Sequence, residues 1–179
     1  MNKLELKDFD GVLPDRMSVA VVMEKKPSTH PWADFAYDAL GVVVKGDVEE
    51  ASITRVFQDG DVERYLCTGL GVQLHVDECE SYYHNMMSPE PGCFIVAETP
   101  EDPSDMPEPY LVSLSFDEVH AYLEGDEQIY SVPIPPELYK WLEVYVLTHY
   151  VAIKKTKRKL KSTRCPSRLS STSGSESMC

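Results

Sequence analysis

A succession of short runs rich in β-branched and aromatic residues, punctuated by proline, glycine and aspartate, restricts this chain more than any other feature. MSVAVVME (17–24), ADFAYDALGVVV (33–44), SITRVFQ (52–58), VERYLCT (62–68), LGVQLHV (70–76), GCFIVAE (92–98), PYLVSLS (109–115) and QIYSVPI (128–134) all favour extended backbone. Asp59-Gly60-Asp61 between two of them is a hairpin signal. Gly41 predicts a bulge in the second run, and Pro133 puts the last run at a sheet edge because proline cannot donate to a ladder.

Three segments carry a helical pattern instead. Asp77, with Glu80 three residues on, predicts a capped short helix running to Met87 before Pro89. Ser115-Phe116-Asp117-Glu118 has capping-box spacing and opens a helix that Gly125 closes. Pro135 and Pro136 lead into ELYKWLEVYVLTHY, where Leu138, Leu142, Tyr145 and His149 form one stripe with Trp141 and Val144 beside it. LGVQLHV should point Val72, Leu74 and Val76 inward. The expected fold is α+β: a mostly antiparallel, barrel-like sheet with two short helices and a C-terminal helix packed on it.

A chain of 179 residues with 42% hydrophobic content supports one cored domain rather than two. We place it at 16–151, after a loose leader over 1–15 and before a basic, then Ser-rich, disordered tail over 152–179. TPEDPSDMPE (99–108) reads as an acidic loop too poor in apolar residues to pack. No continuous apolar stretch marks a signal peptide or membrane span at the N-terminus, so the expected location is the cytoplasm. Cys67, Cys79, Cys93, Cys165 and Cys179 form no CxxC pair and read as free thiols.

The net charge of −13 is unevenly spread. Eight of the 17 basic residues lie in 152–179 against Glu176 alone, so that stretch carries +7 and the rest of the chain −20. An acidic body repels phosphate backbones, which argues against nucleic acid as a partner except through the tail.

Signatures of chemistry are sparse. The chain has no phosphate loop, HExxH or GxSxG, and no cofactor is implied. His75, Asp77, Cys79, Glu80 and His84 form the best metal candidate. A helix over 77–87 would put Glu80 and His84 on one face and turn Cys79 away, so the set does not amount to a four-ligand site. A nucleophile pair of Cys79 or Cys67 with His84 lacks an evident orienting group. His149 near a helix end reads as a terminus charge, and Tyr82, Tyr83, Met86 and Met87 read as packing.

The most unusual stretch is MEKKPSTHPWADFAYDALGVVV (23–44). Pro27 and Pro31 force Lys26 and His30 into extended backbone, so the link between the first two strands has little freedom, and Trp32 should cover the crossing. An anchored β–β connection and a binding edge both fit it, since aromatic and basic residues are favoured at interfaces.

VVMEKKPSTHPWADFAYDALGVV resembles the opening block of a bacterial family, number 3305 among the domains of unknown function: valines, Glu, two basic residues, Pro and then Trp-Ala. DECESYYHNMMS, the VPIP lead into the last helix and the terminal His before KKTKRK extend the likeness over roughly residues 16–160. Members of that family are typically encoded beside molybdenum- or tungsten-dependent formate dehydrogenases and their maturation factors. The resemblance therefore implies a non-enzymatic accessory or assembly role, with a formate dehydrogenase subunit or maturation factor as protein partner. It brings no catalytic set; Glu24, Lys25, Lys26, Pro27, Trp32 and Ala33 match its block. Some relatives are labelled molybdopterin guanylyltransferases, but VAVVMEKKPSTH lacks the glycine-rich phosphate loop that such chemistry needs. Two other readings stand beside this one: a metal- or cofactor-binding protein or small enzyme using the His75–His84 cluster, and nucleic-acid binding by the tail.

Overall fold

The computed structural model describes residues 13–47 and 50–150. Strands β1 (Arg16–Pro27), β2 (Phe35–Val44), β3 (Ile53–Asp59) and β4 (Val62–Gln73) form one antiparallel sheet in the order β2-β1-β4-β3. The apolar run of β1 explains its central place: Val19, Val21 and Met23 fill the core side, and Ala20, on the opposite face, is buried as well. Three bulges bend this sheet, one in each pair of neighbouring strands. Val22 pairs with Gly41 and Met23 with Ala39, so Leu40 is the extra residue and the irregularity adjoins Gly41. In β4, Thr68 and Gly69 together oppose Ala20, because Val19 pairs with Leu70 and Val21 with Cys67. Gly69 has φ +81, and a Cβ there would sit 2.5 Å from the Ala51 backbone, so no other residue fits. Through this bulge the runs 62–68 and 70–76 merge into one strand.

Strands β5 (Gly92–Glu98), β6 (Glu108–Ser113) and β7 (Gln128–Pro133) form a second antiparallel sheet with β5 central. The sheets approach each other where β4 lies beside β6 and β2 beside β7. They do not close into a barrel, which corrects the barrel-like expectation. Closure would need the hydrogen-bonded ladder to continue from one sheet to the other. Instead the chain leaves β4 into a turn and a helix, and Pro109 in β6 and Pro133 in β7 offer no N–H to a further strand.

Helix α1 (Cys79–Met86) follows a 3-10 turn at Val76–Glu78. That turn displaces the expected start: neither element has a side-chain cap, and Val76 is exposed rather than inward. Helix α2 (Phe116–His120) starts at Ser115 as its capping spacing predicts, the Ser115 Oγ accepting the Glu118 N–H at 3.1 Å. It ends at His120, short of Gly125, and hands over to successive turns.

Helix α3 (Pro136–His149) buries Leu138, Trp141, Leu142, Tyr145 and Val146. Leu138, Trp141, Leu142 and Tyr145 are thus buried as expected and Val146 joins them, while Val144 and His149 are exposed. The Trp141 indole donates to the Pro14 carbonyl at 2.7 Å, and the Leu74 N–H to that of Asp15 at 2.7 Å. With Leu13 packed on the core, residues 13–15 are anchored; residues 1–12 of the expected leader and the tail lie outside the described residues. One buried cluster joins both sheets to α1 and α3. No helix among the described residues is long and apolar enough to cross a membrane.

Candidate interaction surface

The connection from β1 to β2 is closed by its own backbone. Ser28 N–H donates to the Asp34 carbonyl at 3.0 Å, Ala33 N–H to that of His30 at 3.3 Å, and His30 N–H to Ser28 Oγ at 2.9 Å. With Pro27 and Pro31 restricting their neighbours, these bonds leave the turn few alternatives. Trp32 takes no part in closing it: the residue is 89% exposed and covers nothing, which corrects the expectation that it shields the crossing. The aromatic ring at the strand entry is Phe35, with the Lys25 ammonium 4.1 Å from its centroid.

The charged residues before this turn are all engaged. Pleating sends Glu24 and Lys26 to one face of β1 and Lys25 to the other. Glu24 accepts from Arg64 at 3.0 Å, Lys26 lies 3.7 Å from Asp38, and Lys25 lies 3.9 Å from Glu63. Glu63 also meets Arg55 at 3.3 Å and accepts from the Tyr65 hydroxyl. That hydroxyl first, then Lys25 and Arg55, holds the Glu63 carboxylate below its usual range. Glu24, Lys25 and Lys26 therefore act as cross-strand ties that hold the sheet end, while Pro27 and Trp32 project from it and Ala33 is half-buried. The β3–β4 turn, Asp59-Gly60-Asp61, lies at the same end, since Lys25 pairs with Glu63.

A cavity of about 230 Å³ lies between Phe35 and Tyr37 of β2 and the 99–108 loop. That loop packs, unlike its composition suggested. Pro107 is buried, Met106 lies on the core, and the Ser104 carbonyl accepts from the Tyr37 hydroxyl. Proline supplies apolar area here at little entropic cost.

The metal candidates are dispersed. Cys79 is buried with its thiol near the His75 carbonyl, whereas Glu80 and His84 form an exposed pair at 3.8 Å on the outer side of α1. Among the described residues, no three His, Cys, Asp or Glu side chains are placed to hold a metal ion. The thiol–imidazole pair is not assembled either. Burial pushes the Cys79 thiol up and that of Cys67 to about 11, which opposes the thiolate a nucleophile needs. His149 rests its ring on Tyr145, 4.5 Å between centroids.

A buried polar cluster had no local sequence signature. Asn85 on α1 donates to the carbonyls of Gly92 and Leu114, both at 2.8 Å, and accepts the Gly92 N–H at 2.9 Å. Ser115 Oγ meets Glu78 at 2.6 Å and Ser81 at 3.0 Å, joining α1 to α2. Gly92 lies seven residues from Asn85, but Leu114 and Ser115 are about thirty or more from their α1 partners, so the fold assembles the set.

A family model described as a protein of unknown function (DUF3305) matches residues 18–159. No curated protein and no solved structure matches the chain.

Proposed function

The chain belongs to the DUF3305 family, and on that premise we propose that it is a non-enzymatic accessory factor that binds another protein through the Trp32 end of its four-stranded sheet. The partner is a subunit or maturation factor of a molybdenum-dependent formate dehydrogenase, the assignment that the sequence resemblance implies. One observation carries the binding mode. A tryptophan that is 89% exposed sits on a turn held by three internal hydrogen bonds and two prolines. Holding so large an apolar ring in water is unfavourable for an isolated molecule, and a rigid presentation removes much of the ordering cost of association. Tryptophans so placed are typical interface anchors.

Tagged protein recovered from native cells should bring formate dehydrogenase subunits with it. Trp32→Ala should weaken that capture by about 2 kcal/mol, roughly 30-fold in Kd, with an unchanged circular dichroism spectrum. Equal capture by the variant would remove Trp32 from the interface. Unaltered formate dehydrogenase maturation in a deletion strain would remove the assigned partner.

A further inference from the structure

A second cavity, of about 340 Å³, opens between α1, β5, the first turn of α2 and β7. Its apolar wall is Phe94 on β5 and Phe116 on α2, edge to face with 5.8 Å between centroids. Its polar lining residues include Glu90, Asp117, Ser131 and His84. Gly92 keeps the floor open: a Cβ there would lie 3.0 Å from Ser131 Oγ and 3.4 Å from the Phe94 ring. The buried Asn85 and Ser81 at the floor already spend their hydrogen bonds on Gly92, Leu114, Ser115 and Asp117. None of the described lysines or arginines lines the cavity. Two carboxylates beside two phenyl rings suit an alkyl stem that ends in a guanidinium or ammonium group, the rings taking the stem and the carboxylates the head.

A source for that cation lies nearby. Tyr150, the last described residue, stacks on Tyr83 with 5.1 Å between centroids. Tyr83 in turn meets His84, on the cavity lining, at 5.7 Å. Residues that follow include Lys154, Lys155, Lys157, Arg158 and Lys159. At up to about 3.5 Å per residue, even Lys154 has a reach of roughly 14 Å beyond Tyr150. The family match continues past the end of α3 to residue 159, so this basic segment belongs to the matched region. It also carries charge opposite to that of the body.

We propose that the cavity is a receptor for a guanidinium or ammonium side chain, and that the chain's own basic segment, 154–159, occupies it. The test uses the full chain. Limited trypsin digestion reads how accessible the bonds after Lys154 to Lys159 are, with cleavage after Lys140 as the internal reference. Glu90→Gln with Asp117→Asn should speed cleavage in the segment roughly fivefold relative to that reference. Gly92→Ala, which narrows the floor and keeps both carboxylates, should act in the same direction. In a full chain with all five basic residues changed to glutamine, added ethylguanidinium should shift the Phe116 ring resonances; the unaltered chain should respond less because its cavity is filled. Protection that appears only as protein concentration rises would assign the cation to a second copy and overturn the intramolecular docking. Equal cleavage in all chains, or no ring shift with ethylguanidinium in either, would overturn the receptor itself.

Discussion

Strands β3 and β5 are each seven residues long, yet every residue of β3 is exposed, whereas β5 leaves only Glu98 exposed. In β5 the neighbours Ile95 and Val96 point to opposite faces and both are fully buried. It runs between β6 and β7, and α2 lies against it. β3 has β4 as its one hydrogen-bonded neighbour and carries a bulge at Val56, since Arg55 pairs with Tyr65 and Phe57 with Arg64. The difference separates two ways of making a strand. β5 is held by apolar area removed from water, and β3 by its hairpin and by side-chain pairs across it.

The comparison breaks first at Ile95. Ile95→Ala should cost about 3 kcal/mol, as transfer energy and a cavity both enter, while Ile53→Ala on β3 should stay below about 1 kcal/mol. Urea unfolding midpoints read both. Comparable losses would mean that β3 is covered and that the contrast is false. Asn85→Ala should follow, with a loss of about 2 kcal/mol, because it strands the Gly92 N–H and two carbonyls in the interior. That variant probes whether β5 is held by its polar clamp as well as by burial.

What could be read in advance follows the same division. GCFIVAE is β5 to the residue, and the Ser115 cap is where its spacing put it, because both depend on local chemistry. The start of α1 was not legible, since the 3-10 turn that displaces Asp77 from the cap follows from how β4 ends beneath Tyr82, whose hydroxyl accepts the His75 N–H at 3.1 Å. Sheet separation, the pinned 99–108 loop and the exposure of Trp32 depend on neighbours far along the chain. Trp141, of the same residue type, is buried because α3 lays it on the core and Pro14 satisfies its indole. The helical apolar stripe beside Trp141 signalled its burial, whereas nothing local to Trp32 signalled its exposure. The Phe94–Phe116 cavity was equally hidden, its lining drawn from four separate segments.

Alkaline pH sharpens the contrast from another side. Burial pushes the Cys93 thiol on β5 up to about 12, so above pH 9 the unfolded chain releases this proton while the native state keeps it. The unfolded state then binds fewer protons, and stability falls as pH rises, by roughly 1 kcal/mol from this thiol at pH 10. Cys93→Ala should flatten the decline between pH 9 and 11, measured relative to its own value at pH 8. An unchanged slope would show that the thiol is not sealed.

The smallest effect is expected on β3 itself. The Arg64 guanidinium lies 4.9 Å from the Phe57 centroid on the open face of the sheet, and the same group holds Glu24 at 3.0 Å. Phe57→Ala removes the ring and leaves Arg64 its carboxylate, so the loss should be about 0.5–1 kcal/mol. Arg64→Ala removes both contacts and should cost somewhat more. The double variant isolates the ring–guanidinium coupling. A coupling near zero would leave β3 tied to the sheet by backbone bonds and the Arg55–Glu63 pair. A coupling above about 2 kcal/mol would require the pair to be shielded from water, and with it the face of β3 that is open in this fold.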